Sequence, residues 1–310
     1  MTLTPEQQSV RAKGIGASET PSLVGADPCR KPIDIYLRKL GLTENAETFH
    51  TKRGTYLEPA LREWASDEIG IKFRPCQSLV LADHPRVLAT PDGIDESGKT
   101  VLELKSPGPR TCDEWGEDES DAPDRYVIQV CQQILVTNAD HGFLAALLDG
   151  DLRVYHIERD RELEGVLVDS IEKFWRDHIE KQIPPEVDGS GSWGEFIKAR
   201  YPRSTRTELI VADSRTEEIV SQYRKAREQA YVADVAEEIL RQKLQFIIGD
   251  GAGLQGPWGK IYWKNNKPRT VTDWEALAKS LKPAPEKISE FTNERPGARP
   301  FSPKFKKEKE

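Results

Sequence analysis

The six residues Thr100–Lys105 (TVLELK) constrain this chain more than any others. They alternate as a β-strand requires, so Glu103 and Lys105 share one face while Leu102 and Leu104 take the other, toward a core. Upstream stands Thr90-Pro91-Asp92-Gly93, with nine residues between Gly93 and Glu103. Asp92 is expected at the end of a preceding strand, and a hairpin turning at Asp95–Lys99 brings it back beside Glu103. Two carboxylates and one ammonium are thus expected at one spot on a sheet edge. Singly, the pieces are ordinary, because P-D-G is a common turn and E-x-K on a strand is commonly an ion pair. Joined at hairpin spacing, with Leu102 and Leu104 internal, they read either as a catalytic site or as a turn beside a cross-strand ion pair.

Such a site suits phosphodiester hydrolysis. Two carboxylate oxygens are what a hard cation such as Mg²⁺ takes. The metal polarises phosphorus and lowers the pKa of a bound water. Lys105 is placed to orient that water or to stabilise charge at the phosphoryl group, and its ammonium offsets the repulsion between the acids. Glu58, in RGTYLEP, lies off the Leu57/Leu61/Trp64 stripe of an expected helix Arg53–Ile69. It is either a further ligand or a solvated glutamate. Gln129, in the apolar run YVIQVCQQ, needs a hydrogen-bond partner, and Gln132 and Gln133 compete for the same role.

The remaining pattern predicts helices and strands in mixture. Ser18 is expected to cap a short helix over Glu19–Val24, and Pro32–Leu40 has helical spacing. Ser78–Ala82 and Val87–Thr90 read as strands joined by Asp83-His84-Pro85. Pro107–Asp124 reads as a mobile, acidic loop, and Tyr126–Val136 as a helix. Gly142–Leu148 and Leu152–Ile157 form a hairpin around Asp149-Gly150, followed by a long helix, Asp160–Gln182. Pro, Gly and Ser cluster at Pro184–Trp193, which marks a break between 1–184 and 185–310. Beyond it come one or two exposed helices over Thr207–Ile248, a strand pair at Gly253–Lys264, a short helix at Thr272–Leu281 and a basic end at Phe301–Glu310.

Composition narrows the class. With 45 basic and 52 acidic residues the net charge is −7; residues 201–310 carry 21 against 16 (+5), leaving 24 against 36 (−12) for 1–200. Binding depends on local patches rather than on this balance. Cys29, Cys76, Cys112 and Cys131 make no C-x-x-C pair, so reduced thiols are the reading rather than zinc. No apolar run is long enough for a membrane span, and the first residues lack a signal core, so a cytoplasmic protein without a membrane partner is expected.

Five segments in order, Gly14–Glu19 (GIGASE), Arg53–Pro59 (RGTYLEP), Thr90–Gly93 (TPDG), Leu102–Lys105 (LELK) and Tyr126–Gln129 (YVIQ), resemble the YqaJ-like viral recombinase or phage lambda exonuclease family of the PD-(D/E)XK nuclease superfamily. The resemblance covers roughly residues 10–180. It implies an α/β (α+β) fold with a restriction-endonuclease-like core, a mixed central sheet flanked by helices, and a C-terminal helical and β-hairpin extension. It implies one or two Mg²⁺, with Mn²⁺ substituting, on Asp92, Glu103, the Leu104 carbonyl and Glu58. Lys105 is then the catalytic lysine and Gln129 a helper. Arg11, Ser18 and Thr90 hold a DNA 5′-phosphate. The implied activity is 5′-to-3′ digestion of double-stranded DNA from its ends, leaving 3′ overhangs for a single-strand annealing protein in phage-type recombination. A homo-oligomer, on the pattern of a ring-shaped trimer, is also implied. The acidic segment Asp113–Asp124 departs from what a DNA groove would carry. The motif alone also fits an endonuclease of restriction or repair. A third reading is a nucleic-acid-binding scaffold, using Trp258, Tyr262 and Trp263 among the bases of the C-terminal third. Against it stands an ordinary packed strand pair with buried rings.

Overall fold

A computed structural model describes residues 10–43, 49–108, 111, 114–116, 118, 121–293 and 297–305. Two compact units result, Met1–Arg200 and Tyr201–Glu310. The first therefore runs past the expected break at Pro184. The reason is the helix Gly191–Arg200, whose Trp193 is buried with the core residues Tyr36 and Phe174.

In chain order the first unit contains β1 (Ile15–Gly16), α1 (Thr20–Leu23), α2 (Pro32–Lys39), α3 (Phe49–Ile69), β2 (Phe73–Arg74), β3 (Leu79–Leu81), β4 (His84–Ala89), β5 (Gly93–Asp95) and β6 (Thr100–Lys105). These are followed by α4 (Asp124–Thr137), β7 (His141–Leu148), β8 (Asp151–Glu158), α5 (Arg161–Phe174), a π-turn (Trp175–Glu180) and α6 (Gly191–Arg200). Five strands form a mixed sheet in the order β2-β5-β6-β7-β8. β5 is antiparallel to β6, β6 parallel to β7, and β7 antiparallel to β8. The parallel step needs a crossover, which α4 provides. Asp149 and Gly150 both have positive φ (52° and 101°), as a two-residue hairpin turn between β7 and β8 demands.

β6 is therefore a central strand, not the sheet edge expected. Both its faces are covered, and Thr100–Leu104 are all buried. Leu102 and Leu104 pack with Leu57, Leu61 and Ala65 of α3. Val101 packs on the other side with Val130 and Ile134 of α4. Trp64 is not in the α3 stripe; it is exposed, and its indole N–H donates to Glu68. The next residue, Ala65, is buried in its place.

A second sheet has the order β1-β4-β3. It packs through Ile15 and Val87 on Tyr36, Ile171 and Trp175. β4 thus belongs to this sheet while β5 belongs to the large one. Asp92 lies between them, just ahead of β5 rather than at the end of β4. Ser18 does not cap a helix: Glu19 holds the N-cap position of the four-residue α1, and no side chain caps it. Within Pro107–Asp124 the described residues are partly anchored rather than mobile. Trp115 is buried and stacks on Tyr126 at 5.1 Å, and Gly116 O accepts from the Tyr155 hydroxyl. Asp113, Glu117 and Glu119 of the acidic segment lie outside the described residues.

The second unit holds one long helix, α7 (Ser214–Ile248), a hairpin of β9 (Gly253–Gly256) and β10 (Gly259–Tyr262), α8 (Trp274–Ser280) and α9 (Pro285–Glu290), the last not foreseen. Tyr223 of α7 meets Phe301 and Phe305 edge-on or tilted. The strand pair is present, but its rings are not buried: Trp258 is 62% exposed and Tyr262 65%. No helix among the described residues is long and apolar enough to cross a membrane.

The α4 packing can be tested at Gly142 of β7. A Cβ there would lie 2.7 Å from Val130 Cγ1 and 2.8 Å from Val101 Cγ2. Gly142→Ala should cost about 1–3 kcal/mol by overpacking, read as a lower denaturation midpoint at unchanged slope.

Candidate active site

A buried carboxylate is costly unless it is paired and hydrogen-bonded. Glu103, only 3% exposed, meets that requirement in full. Gln129 Nε2 donates to its Oε1 at 2.5 Å, and Gln133 Nε2 to its Oε2 at 2.5 Å. Lys105 Nζ also donates to Oε1. Gln129 and Gln133 stand one turn apart on α4 and so share a face, which lets their amides straddle the carboxylate. Gln132 is turned elsewhere, donating to Ile15 O at 3.1 Å and Leu88 O at 2.8 Å. The three-way choice among the glutamines thus resolves into two that hold Glu103 and one that ties α4 to β1 and β4.

Asp92 reaches this point through strand register. Gly93 pairs with Leu102, so the residue ahead of it falls beside Glu103. Its Oδ2 accepts from the Leu104 backbone N–H at 2.8 Å. Arg62, a buried residue of α3, donates from Nε to Asp92 O at 2.8 Å and from Nη2 to Glu58. Glu58 therefore faces the site, but with its charge met by Arg62. Arg53 reaches across to Ser106 O and Pro107 O, past the end of β6.

The expected phosphate grip lies on the same side. Arg11 O accepts from Lys39 Nζ at 2.8 Å. Lys39 is in turn paired with Glu19 at 2.7 Å, and Glu19 Oε2 accepts from Gly16 N at 2.7 Å. These contacts fix the turn that carries Ser18. Thr90 Oγ1 and Ser78 Oγ share a hydrogen bond of 2.8 Å. A helix dipole contributes little here, since α1 spans only four residues. All nine expected residues, Arg11, Ser18, Glu58, Thr90, Asp92, Glu103, Leu104, Lys105 and Gln129, line one cavity of about 460 Å³. A larger cavity of about 750 Å³, beside Leu37 and Phe196, contains none of them.

The electrostatics are those of an acid pair short of positive charge. Burial, with the neighbouring Glu103 carboxylate, pushes Asp92 up to about 8, against the pull of Lys105 and the Leu104 N–H. Burial works against the Lys105 ammonium as well, but Glu103 and Asp92 outweigh it and raise its pKa above the ordinary lysine value. Lys105 Nζ also stands 5.0 Å from the centre of the Tyr126 ring, a favourable place for a cation. A cation between the two acids would relieve their repulsion, and the donor set fits Mg²⁺ through Asp92, Glu103 and the Leu104 carbonyl. Glu103 accepts three hydrogen bonds out of roughly four lone-pair sites, which leaves it one. Among the described residues no three acids, histidines or cysteines gather as a metal cluster, consistent with Glu58 being held by Arg62.

Residues 6–140 match the model of the YqaJ-like viral recombinase domain. The match spans 135 of the 310 residues, all within the first unit. A relative, YqaJ of Bacillus subtilis (strain 168), is 27% identical over 227 residues, covering 71% of this chain and 70% of that protein. A share of 71% is about 220 of 310 residues, more than the 200 of the first unit, so likeness to this YqaJ reaches beyond Arg200. The alkaline exonuclease of Laribacter hongkongensis superposes with a TM-score of 0.50 at 20% identity, over 64% of this chain and 97% of its own. Its complex with dAMP matches equally. These two show the fold: a mixed sheet flanked by helices, as expected from the YqaJ-like motifs.

Sequence reasoning did not single out Arg62 or Arg53, and named Gln133 only as a competitor of Gln129. Only Arg62 left a signal, its i,i+4 spacing from Glu58.

The Asp92 shift has a sign that can be checked. An acid whose folded-state pKa is raised destabilises the fold as pH climbs above its ordinary value of 3.8, with the full penalty reached above about 8. Asp92→Asn keeps an acceptor for the Leu104 N–H and removes the charge. Without metal it should melt above the wild type at pH 8, by about 2–4 °C for each kcal/mol relieved, and the gap should close toward pH 4. Thermal melts in EDTA across that range measure it.

Proposed function

We propose that this protein is a Mg²⁺-dependent nuclease that digests double-stranded DNA from its ends in the 5′-to-3′ direction, leaving 3′ overhangs. The observation that carries the reading is the meeting of Asp92, Glu103 and Lys105 with Arg11, Ser18 and Thr90 in one cavity. An acid pair alone suits any phosphodiester hydrolase. A second set of phosphate-binding groups beside it suits one that grips a terminus, which favours the exonuclease over an endonuclease of restriction or repair. Support also comes from the YqaJ-like domain and from an alkaline exonuclease of the same fold that was solved with dAMP.

In this reading Asp92, Glu103 and the Leu104 carbonyl hold the metal. When bound, Mg²⁺ supplies Lewis acidity and a water of lowered pKa. Lys105, its charge maintained by Glu103 and Asp92, stabilises negative charge developing on the phosphoryl oxygens. Gln129 keeps the Glu103 carboxylate facing the cavity. Arg11 binds the 5′-phosphate as a planar fork, with the Ser18 and Thr90 hydroxyls as further donors. Glu58 stands by as an additional acid once Arg62 turns aside. A single-strand annealing protein that takes the 3′ strand, and assembly as a ring-shaped trimer, belong to the same proposal and rest on the family resemblance.

Three outcomes are expected. End-labelled linear duplex should be degraded with Mg²⁺, faster with a 5′-phosphate than without, while a closed circle is spared. Equal digestion of circles would replace the exonuclease by the endonuclease. Lys105→Ala should lose about a hundredfold or more in rate with its fold retained by circular dichroism but its melting temperature lowered, and Arg11→Ala should lose the preference for a 5′-phosphate. At pH 8, Mg²⁺ should raise the melting temperature of the wild type and leave that of Asp92→Asn unmoved.

A further inference from the structure

The 52 acidic residues fall on average once in six positions (310/52), yet none lies between Gly251 and Thr272. That stretch holds Lys260, Lys264, Lys267 and Arg269. It contains the β9–β10 hairpin and the irregular segment after it. Among the described residues none of these four cations is held in an ion pair. A run of positive charge without counter-charge is rare in an acidic protein and complements a polyanion.

The aromatic residues of the hairpin give that charge a more specific meaning. Lys260 pairs with Gln255 and Tyr262 with Gly253 in the antiparallel ladder. The ladder continues past β10, where Trp263 N donates to Ala252 O at 2.9 Å. Strand alternation therefore sets Lys260, Tyr262 and Lys264 on one face, with Leu254 and Ile261 on the other. Gly253, opposite Tyr262, has no side chain to cover the ring, which is 65% exposed. No larger residue fits at Gly253, because a Cβ would meet Ile261 O at 2.0 Å. Lys264 Nζ lies 5.1 Å from the centre of the Tyr262 ring. The result is an exposed ring with the Lys264 ammonium over it, Lys260 two residues back on the same strand face, and more positive charge continuing through Lys267 and Arg269.

We infer that this hairpin binds single-stranded nucleic acid, a base stacking on Tyr262 while Lys260 and Lys264 meet the flanking phosphates. Unpaired bases are required, since a ring can stack only on a base face that is free. This inference goes beyond the hydrolytic site and does not depend on it, because neither metal nor cleavage enters.

The test uses the full chain in EDTA, where nothing is cut, with fluorescently labelled oligo-dT, oligo-rU and a closed duplex minicircle that offers no ends, read by anisotropy. The single strands should bind more tightly than the duplex, and the dT and rU arms decide between DNA and RNA as the natural ligand. Tyr262→Ala should weaken binding about tenfold, and Tyr262→Phe, which keeps the ring, should bind as the wild type does. With four cations engaged, log K against log salt should slope at about −3. The double variant Lys260→Glu/Lys264→Glu should flatten that slope by about 1.4, roughly 0.7 per phosphate contact. Unchanged circular dichroism keeps a folding defect out of the comparison. Failure of the wild type to bind either single strand, equal affinity for the duplex, or full binding by Tyr262→Ala would each overturn the inference. A failed hydrolysis assay would leave it standing, so the two readings fall separately.

Discussion

The buried carboxylate of Glu103 organises the first unit. It sits on a central strand, under a helix, where an unpaired charge would cost several kcal/mol. Two amides from α4 and the ammonium from its own strand satisfy it. The two amides fix the rotation of α4, and through Gln132 the same helix also grips β1 and β4. The polar network thus decides how the small sheet docks on the large one, a task that apolar contact alone performs with less specificity.

Asp92 sits beside this network and is not satisfied by it. One backbone N–H and one shared lysine leave its carboxyl well above its ordinary pKa. Functional sites are where such unrelieved electrostatics concentrate. An arrangement selected for stability alone would replace one acid with an amide. Keeping both acids preserves a pocket of negative potential that a divalent cation would fill.

Much of this site is legible in the primary sequence. Alternation in Thr100–Lys105 placed Glu103 and Lys105 together, and the nine-residue spacing to Thr90–Gly93 placed Asp92 beside them. Central placement of β6 was not legible, because its parallel partner β7 lies across α4 and no local pattern announces a crossover. The choice among Gln129, Gln132 and Gln133 was not legible because YVIQVCQQ carries amides toward two different sides of α4, and only the sheet beneath decides which side meets Glu103. Trp64 misled because a large ring looks like core, whereas the stripe of α3 that meets the sheet runs through Leu57, Leu61 and Ala65. Ser18 looked like a cap, but Glu19 folds back on Gly16 and is then held by Lys39. The exposed rings of the C-terminal hairpin were unexpected because strand pairs normally acquire a covering layer.

Gln132 and its two neighbours make α4 a ruler. One side of it is fastened to β1, which lies within the Arg11–Ser18 segment, and another side to the acid on β6. On the proposed reading, the step between where a DNA terminus is seated and where the chain is severed is set by a single rigid rod. Loops could then lengthen or shorten around it without altering the size of the piece released. Altering that size would require turning one of these amides to another side of the rod.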